Sequence, residues 1–137
     1  MALAQYKNIP ERISDAHLLL LMKTKKVDGR YVSYIKDLTN TTDELISDWL
    51  NINVKTFRSY KQSGVSLKEN LQEQIILLIS LFKHGEQVFG DIALFNTWLN
   101  SENFYLDNEL PIRYLKTVTG IRFIEDRLTA LEYGDNI

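Results

Sequence analysis

The stretch LISDWLNINVKTFRSYKQSG, Leu45–Gly64, decides how the chain is read. It joins a short apolar-periodic segment, an Asn-rich break and a basic second segment. A helix-turn-helix needs a small residue where its helices touch. Four residues later it needs one that tolerates a left-handed turn. Ser47 is small, and Asn51 belongs to the non-Gly type best suited to positive φ. Ile46, Leu50 and Ile52 flank the turn, and Phe57 and Tyr60 follow at a helical spacing that holds the second segment against a core. The opposite face carries Lys55, Arg58, Ser59 and Gln62, with Lys61 beside them. Read as a DNA-binding element, Asn53 to Lys55 and Ser59 would face base edges, with Thr56 and Gln62 in the same DNA-facing set. Arg58 and Lys61 suit phosphates. Lys23, Lys25, Lys26 and Lys36 extend that footprint if they fold to the same side. A plain corner between two helices fits the same spacing, and spacing alone does not choose between them.

Working outward, the chain holds only two prolines, Pro10 and Pro111, and no sustained period-two alternation, so an all-α fold is expected. Helices are predicted from about Glu11 to Lys23, Arg30 to Leu38, a Thr41–Glu44 capping box to Leu50, and Val54 to Gln62 behind Asn53, closed by Ser63 and Gly64. Ser66 and Glu69 read as a second capping box opening a long helix through Phe82. Its QIILLISLF portion is apolar nearly all round, which marks a helix central to its domain or set in an oligomer interface. Asp91 is expected to cap a helix through Trp98 and Leu99. Pro111 starts a short one, and Thr119 caps a last helix that places Ile121, Ile124, Leu128 and Leu131 inward and ends at Gly134.

The 137 residues suffice for one domain or two small helical modules sharing a core. With 45% apolar and 25% charged residues the chain is expected to fold, and zero cysteines exclude disulfides and thiolate zinc sites. The apolar run His17–Met22 is too short to span a bilayer, and no cleavable signal pattern is seen, so a cytoplasmic protein with no membrane partner is expected. Residues 1–85 carry 12 Lys/Arg against 9 Asp/Glu and residues 86–137 carry 4 against 9, a basic part followed by an acidic one. Such asymmetry suggests two surfaces with different partners. Self-association as a homodimer or higher oligomer is also expected, because a domain this small has little interior to hide both Leu18–Met22 and Ile75–Phe82.

Catalysis is set aside. The histidines His17 and His84 lie in apolar helical contexts, and His84, ahead of Gly85 near an expected helix break, reads as a surface or capping residue. The glycines form no phosphate loop, no metal motif is present, and no cofactor is expected.

In residues 88–134 the order Phe89-Gly90, Trp98-Leu99, Pro111, Thr117 to Gly120 and Tyr133-Gly134 resembles the C-terminal domain of the Xre/MbcA/ParS-type antitoxins. In that family an Xre-like helix-turn-helix precedes this domain, and residues 43–63 stand where it belongs. Two departures are visible. Thr56 is followed by Phe57-Arg58-Ser59-Tyr60, where the family commonly has a basic pair, and the loop before Pro111 reads YLDNEL where a small, Gly-containing sequence is frequent. The resemblance covers about residues 28–137 and implies an Xre-like helix-turn-helix domain (28–85) and a toxin-binding domain (86–137); residues 1–27, which it does not match, are read as an N-terminal helical segment. It implies a type II antitoxin whose partners are a RES-domain toxin acting on NAD⁺ and the operator DNA of its own operon. Toxin contacts would come from Arg122, Glu125, Asp126 and Glu132 and from the tail Tyr133, Gly134, Asp135, Asn136 and Ile137. The sequence by itself reads that tail as frayed, while the resemblance implies a plug over the toxin's active site. The alternative is a plain helix-turn-helix regulator whose C-terminal half dimerises.

Overall fold

A computed structural model describes residues 8–62 and 64–134. The described residues are all-helical: α1 Asp15–Thr24, α2 Gly29–Thr39, α3 Asp43–Leu50, α4 Val54–Tyr60, α5 Glu69–Phe89, α6 Ile92–Leu99 and α7 Val118–Glu132. Two 3₁₀ turns, Phe104–Leu106 and Pro111–Tyr114, lie between α6 and α7. No helix among the described residues is long and apolar enough to cross a membrane.

The fold is organised around α5, which packs against α1, α2, α3, α6 and α7. Its apolar girdle explains why: Ile75, Ile76, Leu78, Ile79 and Phe82 are fully buried, so the helix meets neighbours on every side. The Ile75–Phe82 run is hidden within one chain and supplies no argument for an oligomer. Leu19 and Leu20 on α1 do remain exposed. The core is continuous from end to end. Trp49 of α3 lies 5.4 Å from Phe82, and Phe82 meets Phe95 of α6 edge-on at 5.1 Å. The boundary expected at residues 85 and 86 falls inside α5.

Several helix ends differ from the sequence expectations. The first helix does not begin at Pro10: Arg12 takes a left-handed conformation, φ 53°, and Ser14 caps α1 by accepting from the His17 amide. Thr42 rather than Thr41 caps α3, and Thr117 rather than Thr119 caps α7. The Ser66–Glu69 box is not formed, because Ser66 is engaged in a bridge with Asp28, and Lys68 occupies the cap position of α5 without a side-chain bond. Gly85 does not break α5. A Cβ there would lie 2.3 Å from the Phe95 ring, so the glycine lets α6 approach while the helix runs on to Phe89. The closing of α4 at Ser63 lies outside the described residues.

The segment before α1 is strapped down by side chains of the second half. Ser80 Oγ accepts from the Ile13 amide and donates to the Pro10 carbonyl, at 2.9 and 2.6 Å. Lys83 Nζ donates to the Ile9 carbonyl at 3.0 Å, and Arg122 donates to the Ile13 carbonyl at 2.7 Å and to Asp15. Ile9 and Ile13 are buried beneath these bonds.

Candidate interaction surfaces on α4 and α7

The turn between α3 and α4 takes the shape that its residues call for. Asn51 sits at φ 58°, ψ 38°, and Ser47 beneath it is buried. The Asn53 side chain accepts from the Thr56 amide at 2.8 Å and so caps α4. Phe57 is fully buried, which turns the opposite face of α4 outward. The carboxamide of Asn51 donates to the Lys116 carbonyl at 2.9 Å, and Gln74 donates to that carbonyl and to the Trp49 carbonyl. This turn is therefore anchored to the loop ahead of α7.

The structure separates the expected DNA-facing residues into two sets. Arg58 and Lys61 are not free cations. Arg58 Nε lies 3.0 Å from Asp43 and its Nη2 3.3 Å from Glu44, and Lys61 reaches Asp43 at 3.3 Å. Lys36 joins the same carboxylate at 3.1 Å, so it too contributes little to a footprint. The hydrogen bond from Arg58 is the main reason that the Asp43 carboxyl is held down at about 2, with Lys36 and Lys61 adding to it. The other set is exposed. Lys55 and Gln62 point to solvent, and Lys55 makes no ion pair among the described residues. Ser59 is exposed but donates to the Thr56 carbonyl at 2.7 Å, and Thr56 is half-buried. Asp43 escaped the sequence reading because the Asp-Glu pair at the start of α3 is the common signature of a helix N-terminus.

On α7 the inner face holds a polar cluster. His84 is not a surface or capping residue: it is fully buried in the last turns of α5, with Nδ1 3.0 Å from Glu125 Oε2 and Nε2 3.0 Å from Glu132 Oε1. Both ring nitrogens face carboxylate oxygens, a geometry that the doubly protonated ring completes. Burial works against that charge, but the hydrogen bonds and charges of Glu125 and then Glu132 outweigh it and hold His84 above the usual histidine range. Burial pushes the Glu125 carboxyl up in turn, only partly offset by His84. Arg12 closes the cluster, 4.0 Å from Glu132.

The residues expected to meet a toxin are thus divided. Glu125 is buried against His84 and offers no outer surface, Glu132 leans inward on the same ring, and Arg122 holds the segment before α1. Asp126, Tyr133 and Gly134 are exposed, with Tyr133 77% accessible. Asp135, Asn136 and Ile137 lie outside the described residues. A signal for His84 was present. Glu125 and Glu132 stand seven residues apart on the helix face that also carries Ile121, Ile124 and Leu128. Two carboxylates on a core face require a buried cation partner.

Residues 84–134 match the family model of the antitoxin Xre/MbcA/ParS C-terminal toxin-binding domain. The match runs from the buried His84 to the end of α7, and it supports an antitoxin role with a toxin as partner. A search of curated proteins finds no match.

Proposed function

We propose that the chain is the antitoxin of a type II pair, that its partner is a RES-domain toxin consuming NAD⁺, and that it also binds the promoter of its own operon. The observation that carries this reading is the match of residues 84–134 to a toxin-binding domain. An antitoxin of this kind performs no chemistry. It excludes substrate by covering the toxin's active site, with Asp126, Tyr133, Gly134 and the tail beyond them laid across its mouth. The acidic character of the second half suits a cleft that binds a dinucleotide phosphate. Glu125 and Arg122 act from inside the domain, by fixing α7 against α5 and against the N-terminal strap.

Promoter binding is assigned to α4. Lys55, Thr56, Ser59 and Gln62 would meet base edges from its outer face, with Asn53 at the cap. Arg58 and Lys61 would reach phosphates by exchanging Asp43 for the DNA backbone.

Co-expression with the toxin encoded next to this chain tests the first part. Growth should be rescued by the full chain and lost on truncation after Glu132, which leaves the His84 cluster in place. Rescue by the truncated chain would sink the tail's role as a plug. For the second part, Lys55→Ala combined with Arg58→Ala should weaken the promoter shift and flatten the salt dependence of what remains, and an unchanged shift would count against α4.

A further inference from the structure

We propose that the toxin is seated on an aromatic ridge built from the Asn103–Glu109 loop and the outer face of α7, an inference that rests on the toxin-binding reading of residues 84–134. The ridge starts at Phe104, which is 78% exposed. A phenylalanine ring left in water forgoes the gain of burying its apolar surface, and on an ordered loop it stands ready for a partner.

The loop is ordered by its own backbone. Asn103 is buried and its carboxamide accepts from the Tyr105 amide at 2.9 Å. Its own amide donates to the Glu109 carbonyl at 3.1 Å, and its carbonyl accepts from Leu106 and Asn108 at 3.0 and 2.8 Å. Asp107 and Asn108 take left-handed conformations to close the turn, and buried Leu106 pins it to the core. Phe104 is thus held out by a loop with little freedom to withdraw it.

From Phe104 the ridge is continuous. Its ring meets Tyr105 edge-on at 5.5 Å, and the Arg127 guanidinium of α7 lies 4.9 Å from the centre of the Tyr105 ring. One helical turn back on α7 stands Phe123, 44% exposed and 5.3 Å from Tyr114. Phe, Tyr and Arg on rigid backbone are the composition from which binding hot spots are made, and the ordering entropy is already met by the fold.

The occupant is the toxin rather than DNA or a second copy. All five residues fall inside the matched stretch 84–134. Glu102, Asp107 and Glu109 surround the loop and would repel a phosphate backbone. Self-association through the same face is the competing occupant, and the test below separates it from toxin binding. The partner surface required is an apolar socket for the Phe104 ring.

The test titrates the purified full-length chain into the purified product of the neighbouring toxin gene by calorimetry. Phe104→Ala should weaken the complex by about 30-fold or more, Phe104→Asp further, and Phe104→Leu least, with thermal melting of the free chain unchanged. If Phe104→Ala and Phe104→Asp bind like the parent chain, the ridge is overturned and the antitoxin reading stands. If the parent chain does not bind, both fall together. If Phe104→Asp turns a dimer into a monomer with toxin affinity intact, the ridge is a self-association surface and the proposal is overturned.

Discussion

The outer faces of α4 and α7 reach the same core by different routes and leave different chemistry outside. On α4 the strongest charges are cancelled by a neighbour: Asp43 at the start of α3 gathers Lys36, Arg58 and Lys61. Arg58 stays half-exposed within its ion pairs, and Lys55 is the exposed cation of α4 outside them. On α7 Glu125 and Glu132 turn inward to His84 while Asp126 stays exposed, and the neighbouring surface is aromatic. The lesson is that charge counted along a sequence overstates charge available at a surface. Opposite charges brought together by folding satisfy one another first.

The comparison breaks most completely if the shared core is opened. Phe82 contacts Trp49 on one side and Phe95 on the other, so Phe82→Ala should cost roughly 3–5 kcal/mol, read by chemical denaturation. Promoter and toxin binding should then fail together. Loss of only one would mean that the two halves fold independently.

His84→Ala touches the α7 side alone. It strands the buried Glu125 carboxylate, and about 3 kcal/mol is expected, toward the low end for a broken buried pair because Glu132 keeps some access to water. The same cluster gives a pH signature. The folded-state pKa of His84 is raised, so its stabilisation is complete below the ordinary histidine value and is lost as pH rises through the raised one. Melting temperature should therefore fall from neutral to alkaline pH in the parent chain, while His84→Gln flattens that slope. Parallel profiles would remove the cluster's role.

The α4 side carries the smallest expected effect on stability. Asp43 is depressed to about 2, so its contribution is present above the ordinary aspartate value and is lost as pH falls from about 4 toward 2. Arg58 is half-exposed, so Asp43→Asn should cost under about 1 kcal/mol at neutral pH. It should also release Lys61 and leave Arg58 held by Glu44 alone, giving tighter promoter binding with a steeper salt dependence in a mobility-shift titration. Weaker binding would show that Asp43 positions the cations rather than masking them.

Much of the fold was legible in the residues. The Asn51 turn, the Asn53 cap and the central place of Ile75–Phe82 all follow from local rules of backbone conformation and apolar period. Helix starts were less legible where two cap residues compete, as at Thr41 and Thr42, or where Ser66 is claimed by a partner far away in sequence. The surfaces were least legible. His84 pairs with residues 41 and 48 positions on, and Phe104 looks like any loop aromatic until its loop is seen to be closed by Asn103. Such pairings depend on which helices meet, a property of the whole chain.

The central claim, that residues 84–134 hold a toxin, is tested most directly by co-expressing the chain with its neighbouring gene product and passing the mixture over a sizing column. The account predicts one complex in which NAD⁺ consumption is suppressed. Elution of the chain apart from a fully active toxin would contradict it.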